Sequence, residues 1–152
     1  MIIHKAYKIR IYPNAVQKEM IEKTFGCTRF VYNYFLSERK EKYEKDKVSI
    51  NVYKQLLKLT ELKRNYLWLK EVDSIALQTC ILNLDKAFEN FYHGKGYPKF
   101  RAKGKHDTYQ TEIRINEYKG VIHENIRIDF KKREITLPKL KQMKFRGYRN
   151  IK

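Results

Sequence analysis

The chain has 152 residues, of which 42% are apolar, and its 34 lysines and arginines face 17 acids for a net charge of +17. Apolar material suffices for one domain or two small ones, but no run nears the roughly 20 residues that span a bilayer, and no stretch has the length and apolar moment of an interfacial helix. Charge of this size and sign points to a polyanion, with nucleic acid ahead of an anionic membrane surface.

The N-terminus carries charges where a signal peptide would place its apolar region, so no export is expected and the protein is read as cytoplasmic, beside the nucleoid. Residues 2–12 alternate as a strand, with Ile3, Lys5, Tyr7, Ile9 and Ile11 on one face, and Pro13 ends it. Asn14 then has the character of an N-cap, with Gln17 as its capping-box partner. Val16, Met20 and Ile21 stripe a first helix that stops near Gly26. A second helix runs from about Thr28 to Lys45, with Phe30, Val31, Tyr34 and Phe35 inward and Glu38, Glu41, Lys42 and Lys45 outward. Two helices around a short glycine-containing turn outline a helix-turn-helix, a shape many proteins have without touching DNA. A third helix covers 50–60 and extends toward Asn65. In the fourth, capped by Asp73 or Ser74, the residues Leu77, Ile81, Leu84, Phe88 and Phe91 form one buried stripe, with Trp68 and Leu69 plugging the bundle. Cys27 and Cys80 lie in helical apolar patterns and read as buried thiols in a reducing compartment.

Residues 93–105 follow, with Lys95, Lys99, Arg101, Lys103 and Lys105 at near-even spacing and no acid among them. A flexible cationic strip with interleaved rings suits a phosphate backbone, although most lysine-rich loops are plain solvated linkers. Its setting favours the first reading, since residues 94–152 carry 17 basic and 6 acidic side chains. Beyond the strip the period changes from 3.6 to 2, over 112–115, 126–130, 135–137 and 143–146, with turns at 118–120 and 131–133. Short strands with basic outer faces make a small antiparallel sheet or part of an oligonucleotide-binding barrel. The lone first strand would complete that sheet, making the helices an insertion.

Several stretches together carry a family resemblance: Tyr7 to Asn14 with Gln17, Thr24 to Leu36, Trp68 to Ser74, Ala76 to Gln78, and Leu84 to Phe88. Asn90 to Tyr92, Gly96 to Arg101 and Leu137 to Leu140 extend it over essentially the whole chain. In this order the stretches resemble the N-terminal half of the TnpB/OrfB proteins of insertion-sequence transposons. The resemblance implies an α+β fold in which a four-helix recognition domain is inserted after the first strand of an antiparallel, oligonucleotide-binding-like wedge barrel. Residues 1–13 would be that strand, 14–93 the helical domain, 94–106 a basic linker, and 107–152 the rest of an incomplete barrel. The partners it implies are a guide RNA and double-stranded DNA. Guide pairing would read the target while the protein reads a short adjacent motif. By position the motif readers fall on Tyr53, Ser74, Ile75, Gln78 and Thr111, and the backbone contacts would fall to Lys95, Lys99, Arg101, Lys103 and Lys105. Gln78 can pair bidentately with adenine and Tyr53 can pack on a sugar or base.

The family's nuclease half has no counterpart in this sequence. Asp85/Glu89 and Glu38/Glu41 lie at helical spacing among lysines, as exposed ion-pair faces do, and His4, His93, His106 and His123 lack ligand spacing. The expectation is binding without cleavage, no metal and no cofactor, with self-association through an open sheet edge. Two other readings compete. A stand-alone helix-turn-helix regulator is opposed by the acids Glu38, Glu41, Glu44 and Asp46 on the second helix. The other is a nonfunctional remnant of a decayed transposon gene.

Overall fold

A computed structural model describes residues 1–147, so positions 148–152 of the predicted 107–152 segment lie outside the described residues. The chain divides into two compact units: residues 1–21 with those from 113 onward, and residues 22–112.

In the first unit a four-stranded antiparallel sheet has the order β1-β6-β5-β4. Its strands are β1 (Arg10–Tyr12), β4 (Arg127–Asp129), β5 (Glu134–Leu137) and β6 (Lys141–Arg146). The first strand does complete the sheet, pairing Ile11 with Phe145. It is much shorter than the predicted 2–12, because only its last three residues have a partner strand and Ile2 and Ile3 stand exposed. Ile135 opposite Met143, with Phe145 and Leu140, forms the small buried face. Arg10 and Arg146 are cross-strand neighbours, and both guanidiniums sit 5.8 Å from the Tyr12 ring, which offsets the like-charge pairing. A separate hairpin joins β2 (Ile115–Tyr118) to β3 (Val121–Glu124). Its two-residue turn, Lys119 (φ 51°) and Gly120 (φ 74°), has the paired positive φ angles that match strand twist. The strand expected over 112–115 begins only at Ile115. Its alternation has nothing to pack against, and Ile113 and Ile115 are both exposed.

Helix α1 is the main correction. It runs unbroken from Ala15 to Asp46, so the two helices expected on either side of Gly26 are one, and three α-helices replace the expected four. Its start keeps the expected capping box: the Gln17 N–H donates to Asn14 Oδ1 (2.8 Å) and the Asn14 N–H to Gln17 Oε1 (2.9 Å). The Gln17 amide also donates to the carbonyls of Leu140 and Gln142, each at 2.9 Å. Glycine inside a helix costs about 1 kcal/mol. Cys27, Val31 and Phe35, all buried on the face that follows, each return more than that, roughly 1.5–3 kcal/mol for the larger side chains. Thr28, which propensity alone would place at a helix start, donates its hydroxyl to the Thr24 carbonyl within the helix.

In the second unit α2 (Val52–Asn65) starts at Asn51, whose side chain accepts the Tyr53 N–H at 2.8 Å. A 3₁₀ helix (Leu67–Glu71) leads to α3 (Ser74–Tyr92). Leu77, Ile81, Leu84 and Phe88 are buried as the stripe predicts, whereas Phe91 at the helix end is partly exposed. Leu69 is fully buried, but Trp68 is half out, held edge-on to Phe30 and Tyr66. Of the expected inward residues of α1, Val31 and Phe35 are buried while Tyr34 is exposed. No helix of the described residues is long and apolar enough to cross a membrane.

Both cysteines are buried thiols. Burial is the main cause that pushes Cys27 up to about 11, with Glu71 adding to it, and Cys80 up to about 12. Neither is a thiolate near neutral pH, so a disulfide reagent at about pH 8 is expected to leave both untouched until denaturant is added. Prompt reaction of the folded protein would show that the helices open at these positions.

Candidate nucleic-acid interface

The basic strip is fastened rather than free. Its backbone at Arg101 is gripped by one amide: the Arg101 N–H donates to Asn33 Oδ1 (2.8 Å), and Asn33 Nδ2 donates to the Arg101 carbonyl (2.9 Å). Pro98 is buried, and Tyr97 sits edge-on to Phe88 and Phe91. Further along, Asp107 accepts from the Gly104 N–H at 2.9 Å and pairs with Arg29 at 3.0 Å. Arg29 and Asn33 lie inside the 24–36 stretch that carries the resemblance, which implies no role for either, and Asp107 lies outside every such stretch. A lone amide inside the apolar run 30–36 was the available signal.

Arg101 differs from the lysines around it. Its guanidinium lies 3.9 Å from the centre of the Tyr32 ring, so its charge already has a partner and it is partly buried. Lys95, Lys99, Lys103 and Lys105 are exposed, and among the described residues none has an acid within ion-pair distance. Four uncompensated ammonium groups on an anchored loop lose little entropy on meeting phosphates, and each can displace a condensed counterion.

A second group of residues gathers at the start of α3. Asp73 Oδ1 accepts the Ile75 N–H at 3.0 Å, and Asp73 Oδ2 accepts the Thr111 hydroxyl. Lys63, at the end of α2, donates to Ser74 Oγ at 2.7 Å. Burial holds the Lys63 amine below its ordinary value, against the opposing pull of Asp73. Ser74, Ile75, Gln78 and Thr111 thus share one end of the helix pair. Tyr53 does not join them. It is largely exposed at the opposite end of α2, ten residues or roughly 15 Å from Lys63.

The described residues hold no group of three or more His, Cys, Asp or Glu placed to bind a metal ion.

Residues 1–47 match the family profile described as a helix-turn-helix domain, of the IS605 OrfB type. The chain is 38% identical over 111 residues to the virulence protein VsdF of Salmonella dublin, covering 65% of this chain and 93% of that protein. It is 32% identical over 106 residues to a candidate RNA-guided DNA endonuclease of Streptomyces pristinaespiralis, covering 68% of this chain. It is also 27% identical over 150 residues to the candidate RNA-guided DNA endonuclease InsQ of Escherichia coli K12, covering 97% of this chain. It spans only 26% and 35% of those two longer proteins.

Proposed function

The chain belongs to the TnpB/OrfB family through that family's N-terminal region, and from this we propose that it binds a guide RNA and the DNA beside its target, reading a short motif there. The observation that carries the reading is the anchored strip with its four uncompensated lysines. Lys95, Lys99, Lys103 and Lys105 hold phosphates, Arg101 keeps the strip on Tyr32, and Ser74, Ile75, Gln78 and Thr111 meet the motif. Tyr53 makes a separate contact further along α2. On this reading the 1–13 strand and the sheet from 107 onward belong to a wedge barrel, with the helices of 14–93 and the strip of 94–106 between them.

Replacing the four lysines together by Gln is expected to weaken RNA and DNA binding equally across sequences. The salt dependence, log K against log salt, should become shallower by about 3–4 if each touches one phosphate. Gln78→Ala should instead spare overall binding and lose roughly 1–3 kcal/mol of discrimination at one base pair. Unchanged affinity of the quadruple variant at every salt concentration would sink the reading.

A further inference from the structure

One pocket in the helical unit has no part in the contacts assigned so far. Tyr43, Phe88, Phe91, Tyr92 and Tyr97 line it together with Arg39 and the exposed Ser49, around a cavity of about 140 Å³. That matches the space of a cavity known to take up benzene, roughly 150 Å³, and so admits one flat ring. Four of these aromatics, Tyr43, Phe91, Tyr92 and Tyr97, remain substantially exposed. Tyr97 stands edge-on to both Phe88 (5.6 Å, 87°) and Phe91 (5.1 Å, 81°), so the rings form one connected aromatic wall.

The pocket's charge is already settled. The Arg39 guanidinium rests 5.0 Å from the Phe88 ring centre and is held by Gln55 and Asp85, so it polarises the wall without requiring an anion. Burial first, then Glu44 and Tyr92, push the Tyr97 phenol up, which keeps its hydroxyl protonated and able to donate. What lies beside the pocket decides the occupant. Tyr97 belongs to the basic strip, and its near neighbours in the chain, Lys95 and Lys99, are the uncompensated cations. An apolar side chain of a protein would fill the rings and leave those charges idle. A nucleotide uses both, with its base against the rings and its phosphates on the lysines.

We infer that this is a stacking pocket for a single unpaired nucleobase of an RNA or DNA strand whose backbone follows the strip. The inference rests on the nucleic-acid reading above and deepens it. It is tested with duplexes carrying one bulged 2-aminopurine, compared with the same duplexes carrying an abasic bulge, in ribose and deoxyribose forms. The intact chain should bind the base-containing bulge about tenfold tighter in at least one form, with the fluorophore quenched, as expected for one stacked base. Tyr97→Ala and Ser49→Trp should each abolish that preference, the second by filling the mouth without removing a packed group. Ser49→Trp should leave affinity for the abasic duplex and its salt dependence unchanged, and Tyr97→Phe should keep the preference. Equal, salt-dependent binding of both bulges overturns the pocket while the strip reading stands. If neither duplex binds in a salt-dependent way, both fall.

Discussion

Arg39→Ala is expected to lower the unfolding free energy by about 3 kcal/mol, the low end of the range for breaking a buried ionic network. Arg39 is 6% exposed, and its guanidinium serves three groups at once. Nε donates to Gln55 Oε1 at 2.7 Å, an Nη donates to Asp85 Oδ1 at 2.8 Å, and the plane packs on Phe88. Gln55 is fully buried and also donates to the Phe35 carbonyl, so its orphaned oxygen could not turn toward water. Asp85 limits the loss, since 31% of its side chain reaches solvent. Replacing Gln55 by Leu as well should recover part of the loss, because the donor and one acceptor then vanish together. Urea titrations of the three variants measure this. A single-variant loss under about 1 kcal/mol would show that the network is ornamental to folding.

Asp73→Ala should cost about 2–3 kcal/mol and also disturb the end of the helices proposed to read the motif. One oxygen caps α3 at Ile75, a contact worth roughly 0.5–2 kcal/mol, and the other takes the Thr111 hydroxyl. Both are lost in one substitution, leaving Thr111 without its partner. Asp73→Asn should be milder, since its amide oxygen still caps the helix. Hydrogen exchange at Ile75 and Leu77 is the direct readout, and protection in Asp73→Ala equal to the native chain's would refute the assignment.

Local signals carried far in this protein. The capping box of Asn14 and Gln17, the existence of α2, the extent of α3, and the turn at Lys119-Gly120 were all legible, because each depends on residues within a few positions of one another. The misreadings share the opposite cause. Gly26 interrupts a helical pattern only when nothing beyond it is buried, and here Val31 and Phe35 are. The alternation of residues 2–9 resembles a strand, but a strand exists only where a partner offers its ladder, and β6 offers three residues to β1. At the candidate site the evenly spaced cations could be read by eye. That one of them, Arg101, is committed to Tyr32 depends on where α1 lies, which spacing alone does not contain.

The pairing of Ile11 with Phe145 also sets an order of events at the ribosome. At roughly 5–20 residues per second, the N-terminal strand emerges many seconds before β6, its partner among the described residues. The helical residues 22–112 emerge entirely within that interval, and helices are stabilised largely by near neighbours in sequence. The nascent chain is therefore expected to carry a formed helical unit behind an idle, lysine-bearing tail that docks last. Until then Ile9 and Ile11 are open to chaperones.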